Sequence, residues 1–457
     1  MMSKYRSVKC VLFDMDGLLL DTENLYTQGT QQILSKYNQS YDWEFKTKLM
    51  GKRTDEVARM IIDHYNLPLT PEEWITKSSN IYNDLFPTVK SLPGVAKLVH
   101  HLAKHKVPIS VASSSSSSAF QLKAVNHKGL FSLFENIVLG DNDRVKHAKP
   151  APDIFIVASE YFKDDGIHPE DCLVVEDAPL GVAAGKAAGM QVLMIPDYRM
   201  DCNQQKEATL ALSNLDEFDP RDFGLPGFDY TPVTHVIFDM DGLLLNTQEI
   251  YSKVGAEILS KHGKTPDWEF KMKVIGREAS EAADMIVNHY SLPYTGQEYL
   301  AMYEDELYSL FPSCSLMPGV DRLVRHLHTH HIPVGIATSS TKKVMDIKIS
   351  SKHSSFFSLF SPIVTGCDRA IKQAKPSPKI YQLCASLFPS SPSPGRCLVL
   401  EDAPNGVQAG LGAGMQVVMI PHNKVKKEYL IPATQVLASM EHFRPQDFGL
   451  PSFEQEN

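Results

Sequence analysis

The sequence predicts an α/β protein of two tandem domains, each built on a Rossmann-like parallel sheet and carrying an inserted all-helical cap. The main observation is a repeat, because residues 11–22 read VLFDMDGLLLDT and residues 236–247 read VIFDMDGLLLNT, 225 positions later. A repeat this long, present twice, indicates two complete domains rather than a solenoid. In both copies, short apolar runs alternate with helical patterns, which is typical of a parallel sheet covered on both faces.

The domain limits follow from this repeat. We predict the first domain over residues 1–228, with its cap at about 20–90, and the second over 229–457, with its cap at about 245–315. The segment 219–233, DPRDFGLPGFDYTPV, has three prolines and two glycines, as expected for the end of one domain and a short linker.

Five strands are predicted in each copy. They correspond to the apolar runs 8–13, 107–112, 136–139, 172–175 and 191–195 in the first copy, and 234–238, 332–337, 362–365, 397–400 and 416–420 in the second. Between the first two strands lie about 90 residues with helical periodicity and no strand signal, for example TDEVARMIIDHYNL. This insertion predicts the cap.

Composition excludes several classes of protein. With 43% hydrophobic and 22% charged residues, the chain resembles an ordinary soluble globular protein. A net charge of −9 gives no electrostatic reason to expect nucleic acid or an anionic membrane as a partner. The sequence contains no 18-residue apolar run, and its first residues lack a signal-peptide core. Seven cysteines without a CxxC pair favour a reducing, cytoplasmic location, and no obligate protein partner is evident.

Four polar elements follow successive predicted strands. In the first copy they are Asp14 with Asp16, Ser113 with Ser114, Lys149, and Glu176 with Asp177; in the second they are Asp239 with Asp241, Thr338 with Ser339, Lys375, and Glu401 with Asp402. Ligands of parallel α/β sheets bind at the carboxyl ends of the strands, where these residues are expected to meet. Their combination predicts phosphoryl transfer.

Each residue type has a predicted role in that chemistry. Asp14 would attack phosphorus to form an aspartyl phosphate, and Asp16 would protonate the leaving oxygen and then activate water. Ser113 and Lys149 would hold the transferred oxygens. The predicted ligands of a Mg²⁺ ion are Asp14, Asp16 through its backbone carbonyl, Glu176 and Asp177, and Asp239, Asp241, Glu401 and Asp402 in the second copy.

These elements resemble the motifs of the haloacid-dehalogenase-like phosphatases, whose cap is inserted between the first two motifs. More narrowly, FDMDGLLLDTE, KPAPDIF, EDAPNGV and the closing FGLP resemble the pseudouridine-5′-phosphatase subfamily. The resemblance implies a Mg²⁺-dependent phosphomonoesterase acting on a small sugar or nucleotide phosphate, with pseudouridine 5′-phosphate as the leading substrate. It also implies that Lys52 and Arg277 of the caps reach over the active site and touch substrate, the alternative being plain surface cations.

Two other readings remain open. A sugar phosphomutase of the β-phosphoglucomutase type shares the Asp-x-Asp motif and the cap. Alternatively, one copy is a non-catalytic scaffold beside an active one. The second copy departs more from the pattern, since Asn246 stands where the first copy has Asp21 and Cys367 where it has Asp141. Its four catalytic elements are nevertheless intact.

Overall fold

The chain folds into two compact units. The computed structural model describes residues 3–49, 54–228, 230–267, 270, 274, 279–349, 353–422 and 425–453. One unit comprises Met1–Asp229 and Asn423–Ile431, and the other comprises Tyr230–His422 and Pro432–Asn457. The domain ranges 1–228 and 229–457 stay a prediction. Every helix in the described ranges is too short or too polar to cross a bilayer.

The sheet of the first unit has six parallel strands. They are β1 (Cys10–Phe13), β2 (Ile109–Ser113), β3 (Asn136–Leu139), β4 (Cys172–Glu176), β5 (Gln191–Met194) and β6 (Leu210–Ala211). Their order across the sheet is β3-β2-β1-β4-β5-β6. The five predicted strands are present. The sixth was missed because its two half-buried residues are too few to give an apolar run.

The sheet of the second unit repeats this topology. Its strands are β7 (His235–Phe238), β8 (Val334–Thr338), β9 (Ile363–Thr365), β10 (Cys397–Glu401), β11 (Gln416–Met419) and β12 (Gln435–Val436). The order β12-β11-β10-β7-β8-β9 is that of the first sheet read from the other edge. The predicted fold class, two tandem Rossmann-like domains with parallel sheets, is confirmed.

Helices cover the sheets. In the first unit they are Val95–Lys104, Ser117–Ala124, Lys128–Phe131, Asp153–Glu160, Pro179–Ala187 and Lys427–Leu430; in the second they are Val320–Thr329, Lys342–Ile349, Ser354–Phe357, Lys379–Leu387 and Pro404–Gly412. All four side chains of β1 are buried, as are all four of β7, which explains their continuous apolar sequence. The chain order reverses between β1 and β4, which is where such sheets open a crevice at their carboxyl edge.

In the part that the structure describes, each cap consists of helices and connecting turns, as predicted. The described cap helices are Thr22–Leu34, Trp43–Thr47, Thr54–Tyr65 and Pro71–Leu85 in the first unit, and Thr247–Ser260, Ala279–Tyr290 and Gly296–Leu310 in the second. The first cap has its own apolar cluster, which includes Ile33, Phe45 and Trp74. The helix Pro71–Leu85 begins with a capping box between Thr70 and Glu73, which satisfies backbone N–H groups of its first turn.

Candidate active site

Asp14 and Asp16 lie where the central strand of the first sheet ends. The Asp14 N–H donates to Val175 O at 2.9 Å, so the first aspartate still belongs to the sheet edge. The chain then turns at Gly17, whose φ of +76° favours glycine. A Cβ at that position would also overlap the Asp177 carboxylate. The turn therefore brings the Asp-x-Asp segment against the end of β4.

Lys149 connects two of the predicted carboxylates. Its Nζ lies 2.5 Å from Asp14 Oδ1 and 2.6 Å from Glu176 Oε1, and it also donates to Ala112 O at 3.3 Å. The lysine, Asp14 and Glu176 are all buried. Sequence positions 14, 149 and 176 thus meet in one contact set at the carboxyl edge of the sheet.

Glu176 uses both of its carboxylate oxygens. While Oε1 accepts from Lys149, Oε2 accepts from the backbone N–H groups of Asp177 at 2.9 Å and Ala178 at 3.0 Å. These amides belong to the turn before the helix Pro179–Ala187. Glu176 therefore orients Lys149 as well as facing the acidic cluster.

Asp14, Glu176 and Asp177 form a candidate metal site. One carboxylate oxygen from each lies within 4.8 Å of the others, and all three residues are buried. Burial raises the pKa of Asp14 to about 7 even though Lys149 opposes the shift. Burial, with repulsion from Glu176, also raises the pKa of Asp177 well above its usual range. Three buried carboxylates against one ammonium leave surplus negative charge, and the donors are hard oxygens, so the site fits a cation such as Mg²⁺.

Asp16 is held by a group that sequence reasoning missed. Its Oδ1 lies 2.5 Å from Lys123 Nζ, and its Oδ2 accepts from Ser115 Oγ at 2.7 Å and from Ser113 Oγ at 3.4 Å. Burial alone would raise the pKa of Asp16, but Lys123 and hydrogen bonds from Ser115 and Thr22 outweigh it and hold the pKa below its usual range. Asp16 is therefore ionised in this structure.

The Lys123 side chain is fully buried, and its ammonium makes two further hydrogen bonds. It donates to Tyr26 OH at 2.8 Å and to Ser115 Oγ at 2.7 Å. It also lies 4.7 Å from the centre of the Phe86 ring. The available signal in the sequence was its repetition, since Lys123 and Lys348 are 225 positions apart. A lone helical lysine, however, is normally interpreted as solvent-exposed.

The serines after β2 divide into two roles. Ser113 ends the strand with its side chain fully buried, and its Oγ accepts from the Ser115 N–H at 3.2 Å. Ser114 lines the cavity described below, together with Ser115 and Ser116. Of the two serines predicted to contact substrate, Ser114 thus lines the open space, whereas Ser113 hydrogen-bonds to Asp16 and to the Ser115 N–H.

The second unit repeats the lysine and carboxylate contacts. Lys375 Nζ lies 2.6 Å from Asp239 Oδ1, 2.7 Å from Glu401 Oε1 and 3.1 Å from Ala337 O. Asp239, Glu401 and Asp402 form the second candidate metal group. Burial raises the pKa values of Asp239 and Asp402, as in the first unit.

The second aspartate of this unit is also paired. Asp241 Oδ1 lies 2.5 Å from Lys348 Nζ, and its Oδ2 accepts from Ser340 Oγ at 2.7 Å. Thr338 is fully buried and accepts from the Ser340 N–H at 3.1 Å through Oγ1.

A tyrosine hydroxyl distinguishes the second site from the first. Tyr381 OH donates to Glu401 Oε1 at 2.6 Å. At the corresponding position, the first unit has Phe155, whose ring centre lies 4.9 Å from Lys149 Nζ.

A cavity of about 220 Å³ lies over the first site. Its floor is the acidic cluster with Lys149, and its roof comes from the cap. The cap side chains around it include four aromatic rings, those of Tyr26, Tyr41, Trp74 and Tyr82. The volume is below the ~300–1,000 Å³ of pockets for drug-sized ligands, so the cavity suits a small metabolite.

An ion pair between a buried lysine and a half-buried glutamate belongs to the roof of this cavity. Lys46 Nζ lies 2.9 Å from Glu23 Oε2 and donates to Thr27 Oγ1 at 2.8 Å. Sequence reasoning did not single out either charged residue. The predicted substrate-contacting residues Lys52 and Arg277 lie outside the described residues.

Comparison with known proteins places the chain in a family. A model described as haloacid dehalogenase-like hydrolase matches residues 11–195 and again 236–420. The Drosophila melanogaster protein named probable pseudouridine-5′-phosphatase is 44% identical over 226 residues, covering 49% of this chain and 96% of that protein. Arabidopsis thaliana (DL)-glycerol-3-phosphatase 2 is 41% identical over 225 residues, covering 49% and 94%. Arabidopsis (DL)-glycerol-3-phosphatase 1, mitochondrial, is 43% identical over 224 residues, covering 49% and 75%. The chain belongs to the haloacid dehalogenase-like hydrolase family and carries the family's domain twice.

Proposed function

We propose that each unit hydrolyses a small phosphomonoester, with Mg²⁺ bound and by way of an aspartyl phosphate. The observation that carries this proposal is the contact set of Asp14, Lys149 and Glu176 beside Asp177, which recurs in the second unit with distances within 0.1 Å for the carboxylate contacts. A carboxylate can attack a phosphate dianion only where positive charge offsets the repulsion. The lysine is placed to supply part of that charge.

The proposed reaction has two steps in which atoms and protons balance. In the first, the Asp16 carboxylate takes up the proton of the bound phosphomonoester monoanion. An Asp14 oxygen then bonds to phosphorus, the bond from phosphorus to the leaving oxygen breaks, and the leaving oxygen takes that proton from Asp16. In the second, Asp16 takes a proton from water, the water oxygen bonds to phosphorus, and the bond to Asp14 breaks. Asp16 passes the proton from water to the departing inorganic phosphate, and both aspartates are again carboxylates.

The ionised state of Asp16 suits the second step. A carboxylate held by Lys123 and Ser115 is a ready acceptor for the proton of water. In the first step the same carboxylate carries the proton to the leaving oxygen. The position of Asp16 between the cavity and Lys123 therefore matters in both steps. Asp241, with Lys348 and Ser340, takes this role in the second unit.

Mg²⁺ is the cofactor we propose for both sites. Asp14, Glu176 and Asp177, with the Asp16 backbone carbonyl, would hold it in the first unit, and Asp239, Glu401, Asp402 and the Asp241 carbonyl in the second. When bound, the ion would neutralise charge on the phosphoryl oxygens. The surplus of buried carboxylates supports this assignment, because uncompensated buried charge is costly.

The substrate we propose is a small sugar-type or nucleotide-type phosphate. Pseudouridine 5′-phosphate is the leading candidate, supported by the motif resemblance and by one of the related proteins. The glycerol-3-phosphatases among the relatives add a smaller polyol phosphate to the substrates that need testing. On the same cysteine usage discussed above, we propose the cytoplasm as the location.

Phosphate release by the full chain tests the function. The wild type and the Asp14→Asn, Asp239→Asn and double variants are incubated with a panel of metabolite phosphates, in Mg²⁺ or in excess chelator. We expect release from the wild type and both single variants, none from the double variant, and none in chelator. Turnover undiminished in chelator would contradict the metal assignment.

The same assay separates the alternatives. A phosphomutase would convert a sugar phosphate into an isomer and retain the phosphoryl group, so nuclear magnetic resonance of the products would show no inorganic phosphate. If Asp14→Asn alone removed all activity, the second unit would be a scaffold rather than an enzyme. Release of phosphate from both single variants supports two working sites.

A further inference from the structure

One face of a cap helix differs between the two units in a patterned way. In the helix Pro71–Leu85, Trp74, Ser78 and Tyr82 are spaced four residues apart and all line the cavity. The positions 225 residues later are Tyr299, Tyr303 and Leu307 on the helix Gly296–Leu310. The tyrosine therefore lies one helical turn earlier in the second unit, at the position of the small Ser78.

The facing cap helix changes to match. In the first unit Gly29 faces the tyrosine, since a Cβ added at Gly29 would overlap the Tyr82 ring. The equivalent position in the second unit is Val254, and the glycine moves to the next residue, Gly255. A Cβ added at Gly255 would lie 4.0 Å from Tyr303 Cε2. Between the two units, the tyrosine and the glycine that faces it have therefore both changed position, and they face each other in each unit.

The tyrosine hydroxyl approaches an equivalent carbonyl in both units. Tyr82 OH lies 3.2 Å from Thr30 Oγ1 and donates to Tyr26 O at 3.5 Å. In the second unit, Tyr303 OH donates at 3.2 Å to the carbonyl of Tyr251, which is the counterpart of Tyr26. The hydrogen bond to this carbonyl is retained, although the tyrosine that donates it lies one helical turn earlier in the second unit.

The rings also pack against different neighbours. In the first unit the Tyr82 ring stacks on Phe86, with ring centres 5.1 Å apart, at the end of the helix. In the second, the Tyr303 ring stacks on Tyr299 with centres 5.8 Å apart. The Tyr303 ring therefore lies at a helical position where the first unit has the much smaller side chain of Ser78, which lines its cavity.

We propose that this exchange sets the size of the substrate in each unit, an inference that rests on the proposed function. With Ser78 in the middle of the face, the first unit admits the ring-bearing, nucleoside-sized group of a phosphomonoester between its aromatic walls. Aromatic side chains favour planar rings by stacking. With Tyr303 there, the second unit prefers a smaller group, such as a three-carbon polyol.

The test compares two substrates in the full chain. Asp239→Asn leaves only the first site working, and Asp14→Asn leaves only the second. For each background, kcat/KM is measured with pseudouridine 5′-monophosphate and with glycerol 3-phosphate, and the ratio of the two values is the readout. We expect the ratio to be higher for the first site by about tenfold or more, as is usual for steric discrimination in a pocket.

Exchange variants show whether these residues are the cause. In the first unit, Ser78→Tyr combined with Thr30→Gly should lower the ratio by about tenfold. The matched control is Ser79→Tyr, the same substitution one residue further along the helix, where the side chain is exposed. In the second unit, Tyr303→Ser should raise the ratio, with Tyr308→Ser as its control on the same helix.

A binding measurement provides a readout independent of turnover. In the inactive Asp14→Asn, Asp239→Asn double variant, pseudouridine should quench fluorescence of Trp74, which lines the cavity. Adding Ser78→Tyr and Thr30→Gly should remove the quenching. Ratios unmoved by both exchanges, or quenching that survives them, would overturn the inference. Failure of both backgrounds to release phosphate from any ester would instead contradict the proposed function.

Discussion

Replacing Lys123 by methionine should damage the first unit in two measurable ways. The substitution keeps an unbranched side chain but removes the ammonium that contacts Asp16 Oδ1 at 2.5 Å, Ser115 Oγ at 2.7 Å and Tyr26 OH at 2.8 Å. Asp16 would then keep its serine hydrogen bonds but lose its cation. We expect lower stability of the first unit and poorer positioning of the proposed acid–base carboxylate.

The magnitude follows from burial. Removing one partner of a buried ion pair costs about 3–5 kcal/mol. The Lys123 side chain is fully buried but 19% of the Asp16 side chain is exposed, so water can compensate part of the loss. We therefore expect a loss of about 3 kcal/mol, the lower end of that range. For a unit of this size, this corresponds to a melting temperature lower by about 6–12 °C.

Activity should fall by more than the loss of folded protein explains. Misplacing a catalytic group by about 1 Å costs on the order of 100-fold, so we expect kcat to fall about 10- to 100-fold. The assay is phosphate release in the Asp239→Asn background, well below the melting temperature. Lys348→Met in the Asp14→Asn background is the matched control and should behave alike. An unchanged kcat in folded Lys123→Met protein would refute the positioning role.

Other predictions concern the two sites and their metal. Asp14→Asn and Asp239→Asn should remove separate parts of the activity that sum to the wild-type value; strong non-additivity in phosphate release would show that the sites are coupled. Mg²⁺ at about 100 times its Kd should stabilise the protein by about 2.7 kcal/mol, seen as a higher melting temperature, and Asp177→Asn with Asp402→Asn should abolish the rise. In chelator, Asp177→Asn should melt higher than wild type, because burial raises the folded-state pKa of Asp177. The folded state then binds more protons than the unfolded one, so wild-type stability from this group falls as pH rises above about 4. The advantage of the variant should grow over that range, and a constant difference would contradict the assignment.

The sequence alone determined the architecture and the chemistry-bearing positions. The apolar runs before Asp14 and Glu176 predicted two strand ends at the same edge of the sheet, and the structure brings these residues and Lys149 into direct contact. This worked because hydrophobic periodicity is a local signal, and parallel strands bring their carboxyl ends to one edge. Repetition strengthened each assignment, at a spacing of 225 for Asp14 and Glu176 and of 226 for Lys149. The two-residue strand β6 escaped because so short a segment carries no periodicity.

Tertiary structure alone decided what surrounds these residues. Asp16 and Lys123 are 107 positions apart, and nothing in either local sequence indicates that the lysine is buried against the aspartate. Likewise, the paired movement of tyrosine and glycine makes sense only once Gly29 is seen to face Tyr82, and Gly255 to face Tyr303. Local patterns predict which face of an element is buried, but not which side chain of another element meets it. These side-chain contacts depend on how the helices pack. They determine the ionisation state of Asp16 and the space left for substrate.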